Sequence, residues 1–370
     1  MRTRNVLRHT VSISAVFVMM FAFSAHADFL QDAKAIVEAS TASGAPWSGP
    51  TTGPKAQAGK HIIYIASDMK NGGVLGVKDG VEEAVKVIGW KLDVLDGAGS
   101  VKDQVAALNQ AIAKKPDGIV VGGWNPNVAK IPLKKASKQG IVLVGWHALP
   151  DPGPIEKYDI FYNVTSDSQD VAKVAAMYAV AQSNGKAKAL IFTDSLYQIA
   201  LDKANAMKAV IEQCAECEVV EFIDTPLADT SNRMPPLTFT LLQKYGDDFQ
   251  YSLAINDLYF DFMNSSLKTA GKDPNGAPFN ISAGDGSVSA YQRIRQGNYQ
   301  TATVPEPLTL HGWQVVDEFN RAFAGQKPSG YITPVHLVTK ENIAFDGGPN
   351  NVYDPDNGYR EEYKKIWGVK

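Results

Sequence analysis

The chain has 370 residues with a formal net charge of −3, 45% hydrophobic and 20% charged. That composition excludes a disordered or fibrous chain, and the length suggests about two domains. The mildly acidic balance excludes nucleic acid as a partner, since phosphate binding needs a basic surface.

Residues 1–27 begin with Arg2, Arg4 and Arg8, continue through an apolar run from Val11 to Phe23, and end in Ala25-His26-Ala27. This three-part build predicts an export signal cleaved after Ala27. Its apolar run is too short to span a bilayer. The segment holds no acid, so the mature chain carries −6. The expected location is the periplasm.

Phe29, Leu30, Ala33, Ile36 and Val37 at helical spacing predict an amphipathic helix within 28–43. The Gly- and Pro-rich stretch Gly44–Pro54 then excludes regular structure and reads as a lead-in. From His61 strands and helices alternate. Strands are expected at 61–66, 91–95, 117–121 and 141–144, with helices at 76–88, 101–114 and 128–138 between them. A second round follows 158–162, with strands at 187–192, 218–223, 251–255, 280–283 and 301–304. Its helices fall at 168–183, 199–213, 234–245, 259–270, 288–295 and 310–324. Such alternation predicts the α/β class, in two similar lobes of doubly wound parallel sheet. The expected division is 28–59 as helix and lead-in, 60–163 plus 307–336 as lobe 1, and 164–306 plus 337–370 as lobe 2.

Cys214 and Cys217 form a C-x-x-C pair after a long helix pattern. In an oxidising compartment the simplest reading is a local disulfide. A zinc site would need two more ligands nearby, and redox pairs usually open a helix rather than follow one.

In open α/β sheets the ligand site lies beyond the carboxyl ends of the strands. Those ends carry Ser67, Asp68 and Asn71, then Asp96, Trp124, Asn125, Trp146 and His147. In the second half they carry Asp194, Asn256, Asp285 and Glu306. Amides and carboxylates pair with vicinal hydroxyls, and aromatic rings cover apolar ligand faces. The mixture predicts a site for a neutral polyhydroxylated molecule. The competing reading of any single acid or Asn there is a helix N-cap. Phosphate-loop, nucleophile-elbow and zinc-protease motifs are absent from the sequence, and its histidines are scattered singly. The chain is therefore read as a non-enzyme without metal or cofactor.

The segments Ile62-Ile-Tyr-Ile-Ala-Ser-Asp-Met-Lys-Asn-Gly-Gly73, Leu92–Asp96, Lys115–Val121, Ala254–Asp257, Ala283–Gly286 and Gly297–Glu306, with Gly312, stand in an order similar to a known family. The chain resembles the type I periplasmic sugar-binding proteins of ABC transporters, the ribose- and galactose-binding group. The resemblance spans about 60–340. It implies two lobes joined by a three-strand hinge, closing on one small ligand and delivering it to a membrane permease. It further implies a monomer, with presentation to a chemoreceptor or sensor kinase as the alternative role. By position, Ser67 and Asn71 would contact ligand from the first lobe, and Asn256, Asp285 and Glu306 from the second lobe and hinge. Glu306 falls where the family often has Gln. The family's paired aromatics after the first strand are Gly73 and Val74 here, its Asp-Arg pair after the fourth strand is Trp146-His147, and its Arg near Leu201 is missing. These departures point to a deoxysugar, polyol or sugar derivative rather than ribose.

Overall fold

The computed structural model describes residues 14–370, with side chains from residue 28 onward. Much of the predicted export signal therefore lies outside the described residues. Helix α1 runs Ser14–Thr41. Among the described residues no helix is long and apolar enough to cross a membrane.

Short apolar strands separated by capped helices wind the first lobe. β1 (His61–Ala66), α2 (Gly72–Ile88), β2 (Lys91–Asp96), α3 (Val101–Ala113), β3 (Gly118–Gly122), α4 (Lys130–Lys138) and β4 (Val142–Trp146) follow in order. β5 (Gly153–Ile155) and β6 (Ile160–Val164) complete a six-stranded sheet of order β2-β1-β3-β4-β6-β5. Within this sheet β5 is the one antiparallel strand among the described residues, and at three residues it is too short for an alternation pattern to announce it.

The second lobe holds α5 (Ser168–Gln182), β7 (Lys188–Thr193), α6 (Gln198–Gln213), β8 (Glu218–Asp224), α7 (Thr230–Tyr245), β9 (Tyr251–Ala254) and α8 (Leu258–Thr269). β10 (Phe279–Ser282), α9 (Val288–Gln296) and β11 (Gln300–Thr303) follow, and β12 (Val338–Thr339) pairs antiparallel with β11. The sheet order is β12-β11-β10-β9-β7-β8. α7 starts a turn before its predicted start and carries Pro235 and Pro236 inside it. Ser266 donates to the Pro235 carbonyl, and Thr240 to that of Pro236. Cys214 and Cys217 are disulfide-bonded just past α6.

After β11 the chain returns to the first lobe as α10 (Leu308–Phe323), which packs on α2, β4 and β6. A Cβ built on Gly312 would lie 2.4 Å from backbone atoms of Gly80 and Val81. The two helices thus touch backbone to backbone, which only glycine permits.

Two further segments bind the lobes together. α1 packs on α5 in the second lobe, and the lead-in then lays Trp47 against Tyr331, Tyr359 and Tyr363. The tail places α11 (Ile343–Asp346) against α9 in the second lobe. Its last helix, α12 (Tyr359–Trp367), packs instead on α10 and α2. There Trp367 stacks on Trp313 at 5.4 Å and donates to Asp317. The reading that gave all of 337–370 to lobe 2 had no way to see this, because the partners of Trp367 are some fifty residues upstream. Their aromatic faces, not sequence proximity, decide where the tail ends.

The Gly312 contact yields a direct test. Gly312→Ala should force α2 and α10 apart and cost about 1–3 kcal/mol of stability, as overpacking does. A urea midpoint equal to wild type would show that the helices can separate freely.

Candidate functional site

Both sheets point their carboxyl ends at one cleft. Its cavity encloses about 590 Å³ of empty space, the part that opens to solvent included. The first lobe supplies Ser67, Asp68, Asn71 and Val74 after β1, Gly123 after β3, and Trp146 and His147 at β4. The second supplies Tyr197 and Lys203 around α6, Leu227 and Ala228 after β8, Ile255 and Asn256 after β9, and Asp285 after β10.

Several side chains serve structure and cleft together. The Asn71 carboxamide oxygen accepts from Gly73 N at 2.9 Å and caps α2. The Asn256 oxygen accepts from Leu258 N, while its amide donates to Asp285 at 2.7 Å. The backbone of His147 lies at φ 48°, a left-handed conformation that costs a non-glycine residue roughly 1 kcal/mol or more. That turn stacks the imidazole on Trp146 at 4.1 Å and 10°. It also brings Nδ1 to 3.9 Å from Asp285 and Nε2 to 3.3 Å from Glu306.

Asp285 sits in the hollow above Gly73, where an added Cβ would come within 2.2 Å of its carboxylate. It is not the helix cap, since Ser287 caps α9. Burial raises its pKa, and Lys203 and His147 oppose that rise. The turn that carries it is held by Asp257, which accepts from Gly286 N, Ser287 N and Gln300. Burial lifts the Asp257 carboxyl to about 6 against the pull of Arg293 and those donors.

Not every strand-end residue reaches the cavity. Asp96 accepts from Met69 N and Ala98 N at the edge of the sheet. Trp124 lies within the core behind β3, donating to the Ile65 carbonyl. Asn125 caps the turn that follows it. Asp194 accepts from Leu196 N and Leu227 N, so it orients the loop whose Leu227 and Ala228 line the cleft. Glu306 is 1% exposed and lies behind the lining rather than in it.

Around Glu306 the polar groups close into a ring. Lys203 Nζ lies 3.6 Å from one carboxylate oxygen and His311 Nε2 3.9 Å from the other. Neither oxygen accepts a hydrogen bond. Burial works against the Glu306 charge, yet His147, Lys203 and His311 hold its carboxyl well below the usual carboxylate range. Lys203 is the residue that sequence reading missed. Its signal was present: Ala200, Lys203, Ala204 and Met207 share the buried face of α6, and a lysine on such a stripe needs a partner.

His147, Glu306 and His311 also bring three possible metal ligands within 4.8 Å of one another. Their chemistry does not fit a metal. Trp146 donates to His311 Nδ1 at 3.2 Å, so the neutral ring carries its proton on Nε2, which faces Thr333 at 2.7 Å. That nitrogen has no lone pair to give, and the Lys203 ammonium already stands where a cation would repel it.

The family described as Periplasmic binding protein domain matches residues 62–327. Among solved structures, a sugar ABC transporter protein from Yersinia enterocolitica superposes with a TM-score of 0.69 at 18% identity, covering 79% of this chain and 86% of that one. A solute-binding protein from Agrobacterium vitis, bound with α-D-tagatopyranose, gives 0.70 at 17% identity, covering 80% and 99%. The XylFII–LytSN complex gives 0.65 at 17% identity, covering 78% and 100%. No curated protein matches in sequence.

Burial lowers the His311 pKa to about 4, with Glu306 opposing. The unfolded chain takes up that proton near 6.5, so between the two values the folded state binds fewer protons. Stability therefore falls as pH drops from about 6.5 to about 4, on the order of 3 kcal/mol from this residue. The stability difference between wild type and His311→Gln should change by that amount between pH 7 and 4. A constant difference in urea titrations would refute the assignment.

Proposed function

We propose that this chain, which belongs to the periplasmic binding protein domain family, is an exported solute-binding protein. It captures one small polyhydroxylated ligand, a sugar, polyol or sugar derivative, between its lobes and delivers it to an ABC permease. The observation that carries this reading is the cleft itself. Ser67, Asp68, Asn71 and His147 from one lobe face Asn256, Asp285 and Lys203 from the other across a single cavity. We assign those residues as the ligand contacts. Carboxylate, amide and ammonium groups together accept from and donate to vicinal hydroxyls.

Between them, Val74, Tyr197, Leu227, Ala228 and Ile255 supply an apolar wall. Trp146 gives little platform for a sugar ring, because His147 already covers one of its faces. This favours a ligand held chiefly by hydrogen bonds and aliphatic contact. The neighbouring structures support the class, since one is a sugar transporter protein and another holds a ketose.

A second reading keeps the same cleft and changes the recipient. One fold neighbour is solved in complex with a second protein. The loaded form of this chain would then dock on a chemoreceptor or sensor kinase. Closure on ligand serves either recipient, because contacts made by both lobes favour the closed form.

A thermal-shift panel of sugars, polyols and small aromatics tests the reading. A ligand at 100 times its dissociation constant should add about 2.7 kcal/mol of stability. Silence from every sugar and polyol would sink the assignment. With a ligand in hand, Asp285→Ala should cost about 2–4 kcal/mol of affinity by calorimetry, since a charge-assisted acceptor is lost. Unchanged affinity would remove Asp285 from the contacts.

A further inference from the structure

Glu306 has an unusual setting for a charged group. It stands between Pro305 and Pro307, where the chain leaves β11 for α10 and passes from the second lobe to the first. Both oxygens are buried and neither accepts a hydrogen bond. A buried carboxylate without donors is costly unless a counter-ion is fixed beside it. His311 cannot be that ion, because accepting from Trp146 keeps its ring neutral. His147 Nε2 stands at 3.3 Å as a second neighbour, but an imidazole carries charge only when protonated. The ammonium beside the carboxylate is Lys203 at 3.6 Å, itself 3% exposed.

Lys203 is held in turn by the lack of room around it. A Cβ on Gly284 would come within 2.9 Å of Nζ, so the ammonium rests against the turn that carries Asp285. Its charge therefore reaches the cleft with a partner already assigned behind it. The other fixed charges on the lining are Asp68 and Asp285, both negative.

We propose that Glu306 is a positioning and selectivity residue: it holds Lys203 as a neutral pair behind the cleft and so sets the site against anionic ligands. This rests on the reading of the cleft as the ligand site. A neutral polyol meets acceptors on Asp68 and Asp285 and a donor on Lys203. A sugar acid meets the same two carboxylates with no uncompensated cation to offset them. Removing the Glu306 charge frees the Lys203 charge, and an added carboxylate on the ligand then finds a partner.

The test uses the full exported chain in four forms: wild type, Glu306→Gln, Lys203→Met and the double variant. In ligand-free protein each single change should lower the melting temperature by about 5 °C or more, because it strands a buried charge. The double variant should melt close to wild type, because it removes both charges. Singles that add, or a double variant that does not fold, would overturn the pairing. A single variant that unfolds while the double folds is the same coupling in stronger form.

Selectivity is read with matched probes, D-galactose against D-galacturonate and D-glucose against D-gluconate, by thermal shift and calorimetry. Wild type should prefer the neutral member of any pair it binds. Glu306→Gln should raise the acid-to-neutral affinity ratio about tenfold, and the double variant should return it. A merely structural Glu306 would leave that ratio unmoved, which would overturn the selectivity role. Where wild type binds none of these four, the pairs are taken from whichever sugar or polyol of the wider panel it does bind and the matching acid. Silence across that whole panel is what fails the ligand reading, and the ligand-free coupling still decides the pair.

Discussion

A carboxylate sealed at the passage between the lobes, with no donor on either oxygen, ties the cleft together. Charge in such a place is tolerable only if every neighbour is fixed. Lys203 approaches it from α6 in the second lobe, and His147 and His311 from β4 and α10 in the first. The same groups reach forward. His147 and Lys203 both stand opposite Asp285 on the cleft wall and oppose its tendency to stay protonated. The geometry of the cleft-lining residues thus depends on an anion that lies behind the lining.

The lobes are joined more firmly than a bare hinge would join them. Besides the passages after β6, after β11 and before β12, the lead-in and the tail each cross from one lobe to the other. Trp47 in the lead-in and Tyr359, Tyr363 and Trp367 in the tail pack into one aromatic cluster on the first lobe. Each crossing adds a tie that any relative movement of the lobes would have to bend. A cavity of about 1300 Å³, solvent-facing space included, lies between these segments and is lined by Ala39, Ser48, Pro307, Tyr331, His336 and Tyr353.

The cleft itself is divided by chemistry. Most of its polar groups come from strand ends and helix caps, where backbone geometry already fixes them: Asn71 caps α2, and Asn256 secures the turn after β9, while Lys203 reaches in from within α6. Part of its apolar wall comes from the loop after β8, whose placement depends on a remote bond. Leu227 and Ala228 are where they are because Asp194, one strand away, accepts from Leu227 N. Pre-set donors and acceptors need little reordering on binding, which lowers its entropic cost.

Much of this was legible in the sequence. Apolar runs of strand length between amphipathic helices fix the two sheets and their parallel sense, and strand ends locate the cleft before any contact is known. That is why Ser67, Asp68, Asn71, Trp146, His147, Asn256 and Asp285 could be named from order alone. Which strand end turns inward is a different matter. Trp146 is the last residue of β4, while Trp124 follows β3 beyond Gly123, whose φ of 79° turns the chain. Both are buried, yet of the two Trp146 alone also borders the cavity. Lys203 needed a partner that no local pattern supplies, and α12 needed one some fifty residues upstream. The sequence by itself determined most of the elements, though not β5, β12 or the tail helices α11 and α12, since period and capping are local signals that short segments carry weakly. Only the tertiary structure decided which charges meet, because ion pairing depends on distances between segments that the chain order does not encode.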